Sequence, residues 1–257
     1  MSANWIEDAI ARIKETCVQH PRFMGASNQM NLAIHAISMG EVIPLVGPSR
    51  WGKTRMLREA IGAHLGARPN AAGRMPVICV EAENAGPSGI FSTKDFMARC
   101  LEAIHHPFYG KDVEDLDPAE TSSYKPRREQ LIHRTPERSL RAAFESALRH
   151  RGTEVLVIDE AHHVQYVAGG NEAAARVLDS WKCLANAAGV KLVLSGSYEI
   201  LDLLLLAPHL VGRQQTIHLP RYRGAEESDI RAWAGVLAHY SQFLRTEASS
   251  LIRASQK

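Results

Sequence analysis

The sequence lacks the features of a membrane protein and of a disulfide-stabilised secreted protein. Its 257 residues include only four cysteines, which are far apart and form no Cys-x-x-Cys pair. A disulfide framework or a cysteine metal site is therefore not expected, and a reducing compartment fits better. No apolar run approaches the roughly 20 residues of a transmembrane helix. The chain also does not open with a basic segment followed by an apolar one. We therefore expect a soluble, cytoplasmic protein.

A strong net charge is also missing, because 30 Lys and Arg against 28 Asp and Glu leave a formal charge of only +2. The overall charge therefore gives no argument for nucleic-acid binding. The local distribution is uneven, since residues 121–151 hold eight basic and three acidic side chains, a net +5. This stretch suits a DNA backbone bound without sequence preference, and it equally suits a solvated helix face with a loop. Its basic residues are Lys125, Arg127, Arg128, Arg134, Arg138, Arg141, Arg149 and Arg151.

Five short apolar runs predict the strands of a sheet. They read EVIPLVG from Glu41, MPVICVEA from Met75, EVLVIDE from Glu154, KLVLSGS from Lys191 and QTIHLP from Gln215. The first four are almost continuously apolar, which is typical of parallel strands buried on both faces. Residues 106–134, between the second and third strands, are polar and contain proline, which predicts a long loop or insertion.

Residues that favour helix ends separate these strands. Serine and asparagine often cap a helix, proline suits the first helical position, and glycine ends helices. We predict caps at Ser27, Ser92 and Asn171, a first helical residue at Pro136, and helix ends at Gly40 and Gly189. Strands alternating with helices favour a three-layer α/β fold with a parallel sheet.

The strongest motif is a phosphate-binding loop after the first strand. Residues 47–54 fit the pattern Gly-x-x-x-x-Gly-Lys-Ser/Thr between a predicted strand and a predicted helix. Backbone N–H groups of such a loop hold phosphates, the lysine reaches the β and γ oxygens, and the threonine hydroxyl binds Mg²⁺. A chance match in a strand–turn–helix is the alternative. The predicted nucleotide contacts are Gly47, Pro48, Ser49, Arg50, Trp51, Gly52, Lys53 and Thr54. The tryptophan is at a free position, where its side chain can pack elsewhere.

The third strand ends in two acids, Asp159 and Glu160. A carboxylate at the end of a buried strand can hold Mg²⁺, so we predict that Asp159 is a magnesium ligand together with Thr54. Glu160 is placed to activate a water molecule, which favours hydrolysis over binding alone. The alternative is a strand that simply ends in two solvated acids.

Two further positions are candidate catalytic residues. Ser197, with Ser195 as a close second, ends the fourth strand and could contact the γ-phosphate; it could equally cap the next helix. Arg213 precedes the fifth strand, where it could reach the site of a neighbouring subunit. An ordinary surface ion pair is the alternative for this arginine. The adjacent His162 and His163 are expected to make polar contacts rather than to bind a metal.

In this order, the loop, the VLVIDE strand, the polar end of the fourth strand and the later arginine resemble an AAA+ ATPase across Met30–Pro220. The runs IDEAHH and GVKLVLSGS are most similar to the transposition regulators TniB and TnsC. The resemblance implies a P-loop NTPase core with strand order 5-1-4-3-2, ATP and Mg²⁺ as ligands, and a homo-oligomeric ring, spiral or filament on double-stranded DNA. It also implies a transposase and a TniQ-like target-selection protein as partners. By position, it implies DNA contacts at Lys125, Arg127, Arg128, Arg134 and Arg138.

The resemblance divides the chain into an N-terminal helical segment (1–40), an ATPase core (41–220) and a short C-terminal helical segment (221–257). The last segment has room for one or two helices, so we expect a reduced or truncated lid. Three other functions remain open at this point. They are a nucleotide-gated scaffold with little hydrolysis, a helicase-loader or origin-binding ATPase, and, with least support, a small-molecule kinase.

Overall fold

Five parallel strands form the centre of the fold. The structure is a computed structural model and describes residues 7, 10–13, 16–65, 73–83, 89–109, 129–207, 210 and 216–254. The strands are β1 (Val42–Val46), β2 (Val77–Glu81), β3 (Val155–Asp159), β4 (Lys191–Gly196) and β5 (Ile217–His218). Their spatial order is β5-β1-β4-β3-β2, and every pair is parallel. This confirms the α/β fold class and the strand order that the resemblance implies.

Helices cover both faces of this sheet. They are α1 (Pro21–Ala36), α2 (Lys53–Leu65), α3 (Thr93–Ala103), α4 (Glu137–His150), α5 (Gly170–Ala188), α6 (Glu199–Leu205) and α7 (Glu227–Ala254). A 3₁₀ helix spans Ala161–Tyr166, and residues 10–13 and 129–134 are also helical. Among the described residues, no helix has both the length and the apolar character that crossing a membrane requires.

The strands sort their side chains into two cores because successive residues point to opposite faces of a sheet. Ile43 and Val157 face α1 and α2. Leu156 and Leu194 face the layer of α3, α4, α5 and α6. The three layers therefore arise from apolar residues at both odd and even positions of the central strands. The same alternation decides which strand-end side chains reach the start of α2.

Strand β2 departs from the prediction of strands buried on both faces. Its residues alternate in burial, and Cys79 and Glu81 are exposed. Strands β1 and β3 are fully buried, as predicted. The difference arises because β2 is at the edge of the sheet, beyond the part of the face that α1 and α2 cover.

The helix boundaries predicted at Ser92 and Gly189 are confirmed, whereas the end predicted at Gly40 is wrong, because α1 ends at Ala36. Ser92 caps α3, since its hydroxyl accepts a hydrogen bond from the Asp95 N–H at 3.2 Å. Gly189 ends α5 in the left-handed conformation with a φ of 70°, which costs glycine little. Helix α6 ends at Leu205, before the proline that follows.

Other predicted helix starts are wrong. Helix α1 begins at Pro21, and His20 caps it by accepting the Phe23 N–H on its ring at 3.3 Å; Ser27 is buried inside the helix. Proline at the first helical position was the stronger signal, because its φ is already helical. Helix α5 begins at Gly170, so Asn171 is within its first turn rather than at its cap. Pro136 is the cap residue of α4 and not its first helical residue.

One longer segment differs from the expectation, and another agrees with it. The polar segment 106–134 is not loop throughout, because residues 129–134 are helical; residues 110–128 lie outside the described part. After β5, the described residues form one helix of 28 residues, α7, which agrees with the expected one or two helices. Helix α7 brings residues from the end of the described chain to the loop that follows β1.

Candidate functional site

The loop between β1 and α2 is shaped by glycine. A Cβ at Gly47 would lie 2.6 Å from the Leu219 carbonyl oxygen, so only glycine fits beside the chain that leaves β5. The Gly47 N–H donates to the Gly196 carbonyl at 3.2 Å, which fixes the start of the loop against β4. Arg50 and Gly52 have positive φ angles of 59° and 89°. The loop is therefore tightly curved, and α2 begins immediately after it.

Lys53 is a buried cation inside this loop. Its side chain is only 3% exposed, and its Nζ donates to the carbonyl oxygens of Gly47 at 3.1 Å and Pro48 at 3.0 Å. No carboxylate of the described residues forms an ion pair with it. A buried charge is costly unless it is paired, and an ammonium has three N–H donors. This environment is complementary to an anionic ligand such as a phosphate.

Thr54 and Asp159 meet beside that lysine. The Thr54 hydroxyl donates to Asp159 Oδ2 at 2.5 Å, and Asp159 Oδ1 accepts the Glu160 N–H at 2.9 Å. Asp159 is only 4% exposed because β3 places it on the sheet face that α2 covers. A hydroxyl and a carboxylate are hard oxygen ligands of the kind that Mg²⁺ prefers. The donor set therefore fits the predicted metal.

Glu160 follows in a constrained conformation. Its φ of 50° and ψ of 33° are left-handed, which is uncommon for a residue with a side chain. Its Oε2 lies 3.2 Å from His162 Nδ1, and the same nitrogen lies 3.4 Å from the Ser197 N–H donor. Burial, and then the neighbouring His163, lower the pKa of His162. His162 therefore lies between Glu160 and the end of β4, where its Nδ1 either donates to the Glu160 carboxylate or accepts the Ser197 N–H; the sequence alone did not reveal this position.

The two serines at the end of β4 both lie at this edge of the sheet. Ser195 is on the same face as Val193, which packs against α2, and it is fully buried. Its hydroxyl has no hydrogen-bond partner among the described residues. Buried hydroxyls usually have a hydrogen-bond partner, so the Ser195 hydroxyl can form a hydrogen bond with a bound ligand or a water molecule. Ser197 contacts His162 through its backbone, as described above.

Trp51 connects the loop to the chain that follows β5. Its indole Nε1 donates to the Pro220 carbonyl at 3.0 Å. Its ring stacks on Trp233 of α7, with centroids 5.9 Å apart and planes 17° from parallel. Tyr222 meets the same ring edge-on at 6.2 Å. The side chain thus packs against distant parts of the chain.

An ion pair fixes the start of α7 near these three aromatic rings. Arg22 Nε donates to Asp229 Oδ1 at 3.1 Å, and its Nη2 contacts the second carboxylate oxygen. The Arg223 N–H donates to the same carboxylate at 2.8 Å. The Arg22 guanidinium, as the main cause, lowers the pKa of Asp229. Helices α1 and α7 are therefore joined beside the rings of Trp51, Tyr222 and Trp233, next to the 47–54 loop.

A cavity of about 380 Å³ opens between the loop, α1 and α7. Its lining includes Arg50, Trp51, Gly52, Trp233 and Tyr240. Pockets that hold small organic ligands have volumes of about 300–1,000 Å³ and largely apolar walls. The cavity therefore adjoins the 47–54 loop and has room for a small organic group.

The remaining predicted residues are elsewhere. Arg134 and Arg138 are exposed, at the end of the 129–134 helix and in the first turn of α4, in the layer opposite α2. The other predicted DNA contacts and the predicted intersubunit arginine lie outside the described residues: Lys125, Arg127, Arg128 and Arg213.

The AAA domain family matches residues 38–204, which is more than half of the 257-residue chain. The chain belongs to the AAA domain family. The match includes the 47–54 loop, Asp159, Glu160 and both serines of β4. It ends before β5 and α7, so Trp233 and Tyr222 belong to a part of the molecule that the family match does not cover. No curated protein matches the chain.

Two solved structures share the fold of this AAA domain protein. The Walker-type ATPase of Pyrococcus abyssi is 15% identical with a TM-score of 0.51, over 78% of this chain and 54% of that one. The ORC1 protein of Aeropyrum pernix, solved in complex with DNA, is 17% identical with a TM-score of 0.53, over 88% of this chain and 50% of that one. The AAA domain protein thus spans about half the length of each, and these identities show the fold alone.

Proposed function

We propose that this protein binds ATP with Mg²⁺ at the 47–54 loop, hydrolyses it, and uses the nucleotide to control its assembly on duplex DNA as a regulator of transposition. The observation that carries the nucleotide part is the buried Lys53 ammonium, which has only carbonyl partners and lies next to the Thr54–Asp159 pair. The family match supports the same conclusion, since AAA domains are nucleotide-binding domains.

Each residue of the site has a separate task in this proposal. The loop N–H groups and Lys53 bind the β- and γ-phosphates, while Thr54 and Asp159 hold Mg²⁺. When bound, the metal neutralises charge on the phosphate oxygens. Glu160 accepts the proton of a water molecule whose oxygen forms a bond to the γ-phosphorus. The bond from that phosphorus to the bridging oxygen breaks, which gives ADP and inorganic phosphate. Ser197 or Ser195 donates to the γ-phosphate or to the water.

The cavity beside the loop holds the nucleoside in this proposal, and Trp51 reports on it. We expect ADP to change the intrinsic tryptophan fluorescence, because Trp51 and Trp233 both line the cavity. Trp51→Phe should remove at least half of that change while the affinity for nucleotide falls by less than about tenfold. The affinity falls little because the phosphate contacts contribute more than one aromatic contact.

Trp181→Phe is the matched control for this titration. Trp181 is buried in the other core, where it packs on Phe96, so its replacement should leave the fluorescence response intact. A full response in Trp51→Phe would show that the nucleotide binds away from this cavity.

The DNA part of the proposal rests on three observations of different kinds. Arg134 and Arg138 are exposed near the start of α4, within the basic stretch that also holds Lys125, Arg127 and Arg128. A structural neighbour, ORC1, was solved in complex with DNA. The IDEAHH and GVKLVLSGS runs resemble TniB and TnsC. We infer a sequence-independent contact with the phosphate backbone, which charge alone can provide.

The double variant Arg134→Gln/Arg138→Gln should bind duplex DNA about tenfold more weakly at moderate salt. The slope of log affinity against log salt should become about 2 units shallower, because two phosphate contacts are lost. Fluorescence anisotropy over a salt series measures both quantities. Arg58→Gln/Arg231→Gln, which removes two exposed arginines elsewhere, should leave affinity and slope unchanged. Equal losses in the two variants would refute a DNA site near α4.

Oligomerisation is the link between nucleotide and DNA in this proposal. The γ-phosphate would lie between Lys53 of one copy and Arg213 of the next, so ATP favours the assembled state and hydrolysis releases it. The proposed protein partners are a transposase and a TniQ-like protein. Electron microscopy with an ATP analogue and duplex DNA tests the assembly. We expect oligomers on DNA, and only single copies would contradict the proposal.

The DNA-bound ORC1 neighbour also favours a second candidate, an origin-binding or helicase-loading ATPase. The two candidates share the nucleotide site and differ in the partner. Stimulation of a purified transposase by this protein, ATP and DNA is the result we expect. Binding of a replicative helicase instead would establish the second candidate.

A further inference from the structure

A second cavity lies at the opposite edge of the sheet from the nucleotide site. Its volume is about 610 Å³. It is bounded by the chain that leads into β2, by the turn after α3 and by the end of α4. The 47–54 loop and Asp159 are at the carboxyl edge of the strands, whereas β2 and β3 begin at this edge. Nothing in the proposed ATPase cycle uses this cavity.

The described lining of this cavity is basic. Five of its described lining residues are arginine or histidine, and none of the described ones is aspartate or glutamate. The five are Arg74, His105, His106, His150 and Arg151. Pockets that bind anions concentrate donors of this kind, whereas a structural cluster of arginines normally includes carboxylates. The composition of the lining therefore points to an external anion.

Arg151 is held in place by neutral backbone carbonyls, which do not offset its positive charge. Its Nη1 donates to the Gly73 carbonyl and its Nη2 to the His105 carbonyl, both at 3.1 Å. A guanidinium has five N–H donors, so three remain after these two bonds. Burial, and then Arg151, lower the pKa of His106. The positive charge of Arg151 is thus felt inside the cavity and is not neutralised there.

Arg74 provides the second fixed cation. A Cβ at Gly152 would lie 3.0 Å from its Nε and 3.1 Å from its Nη2, so glycine is what lets the guanidinium lie against the backbone. Gly152 also has a φ of 61°, which glycine tolerates best. Among the described residues, Arg74 has no ion-pair or hydrogen-bond partner. Its donors are therefore available to a ligand.

The rest of the lining is apolar. Ala143 and Ala147 of α4 form its apolar wall, the fully buried Ile104 at the end of α3 lies behind them, and Ser146 adds a hydroxyl. A phosphodiester backbone would gain nothing from an apolar wall inside a recess. An organic molecule with a phosphate group would use both the cations and the apolar wall.

We propose that this cavity is a binding site for a small organic phosphate, with the phosphate group on Arg74 and Arg151 and the organic part on Ala143 and Ala147. The site is separate from the ATP site and does not depend on the function proposed above. Ligand binding here would join the start of β2 to the ends of α3 and α4.

The test uses the full chain carrying Lys53→Ala, so that the 47–54 loop no longer competes for phosphate. Phenyl phosphate and inorganic phosphate are titrated separately, by calorimetry and by NMR of the histidine rings. We expect one saturable site for phenyl phosphate, shifts at His105, His106 and His150, and at least fivefold weaker binding of inorganic phosphate. No saturable binding would overturn the proposal, and equal affinity for the two probes would overturn the organic class.

Arg74→Gln in the same background identifies the site. We expect at least tenfold weaker binding of phenyl phosphate and an unchanged melting temperature, since Arg74 holds no other group in place. Arg176→Gln is the matched control, because Arg176 is an exposed arginine on α5, and it should bind like the parent. Equal affinity in the Arg74→Gln and parent proteins would overturn the assignment.

Discussion

Lys53→Ala should weaken ATP binding by more than about 100-fold. The ammonium is buried inside the loop, and two of its three N–H donors bond to carbonyls, so one donor is free for the β- and γ-phosphates. Hydrogen bonds to charged groups contribute about 1.5–3 kcal/mol each, and two of them correspond to roughly two to four orders of magnitude in affinity. Calorimetry with ATP and Mg²⁺ measures the loss directly. Retention of DNA in the presence of ATP should fall in parallel.

Two controls separate this effect from misfolding. Lys94→Ala removes a half-buried lysine that bonds to the His133 carbonyl, and it should bind ATP like the wild type. The melting temperature of Lys53→Ala should not decrease, because the substitution removes a buried charge that has no carboxylate partner. If Lys53→Ala bound ATP normally, the nucleotide site would have to be elsewhere.

Glu160→Gln should lower ATP turnover by about 100- to 1,000-fold and leave ATP affinity within about threefold of the wild type. Glutamine keeps the size of the side chain and its contact with His162, but it cannot accept a proton from water. General base catalysis contributes about 10²–10⁴ in rate. Phosphate release in a single turnover, measured together with ATP affinity, distinguishes catalysis from binding.

Glu81→Gln is the control for that variant. Glu81 ends β2 beside Asp159 in the sheet register, and burial, followed by Glu83, raises its pKa. It is thus an acid close to the site with no proposed role, and its variant should turn over within threefold of the wild type. Equal, slow turnover of the wild type and Glu160→Gln would instead favour a nucleotide-gated scaffold that barely hydrolyses ATP.

The fold could be predicted because the central strands carry their signal locally. Residues 42–46 are all apolar, and so are residues 155–158 before Asp159. Both strands are buried on both faces. Strand β2 has an equally apolar sequence around Ile78, yet it is at the edge and exposes Cys79. Edge strands and central strands differ in which helices cover them. The packing of α1 and α2 decides this coverage, and the sequence of the strand does not.

Helix starts were predicted less well, for a reason that α1 makes clear. A serine at position 27 has the chemistry of a cap, but His20 supplies the acceptor and Pro21 the helical φ. An imidazole is a less common cap than a hydroxyl or a carboxylate. Several local signals therefore competed, and the tertiary contact of His20 with Tyr222 favours the earlier start.

The candidate site also contains some residues that the sequence predicts and others that it does not. Gly47, Lys53, Thr54 and Asp159 could be predicted because each belongs to a short motif of fixed spacing. The Trp51–Trp233 stack could not, since the two rings come from the loop and from α7, far apart in sequence. The role of His162 between Glu160 and β4 was also hidden, because the tertiary fold sets the position of Ser197 against it.

The central claim is that each chain binds one magnesium-bound triphosphate in the cradle of Lys53, Thr54 and Asp159. Calorimetric titration of the wild-type protein with Mg²⁺ and a non-hydrolysable ATP analogue tests it most directly. The account predicts one binding event per chain, with an affinity that drops strongly when magnesium is chelated. Absence of heat and of saturation at millimolar analogue would contradict the account.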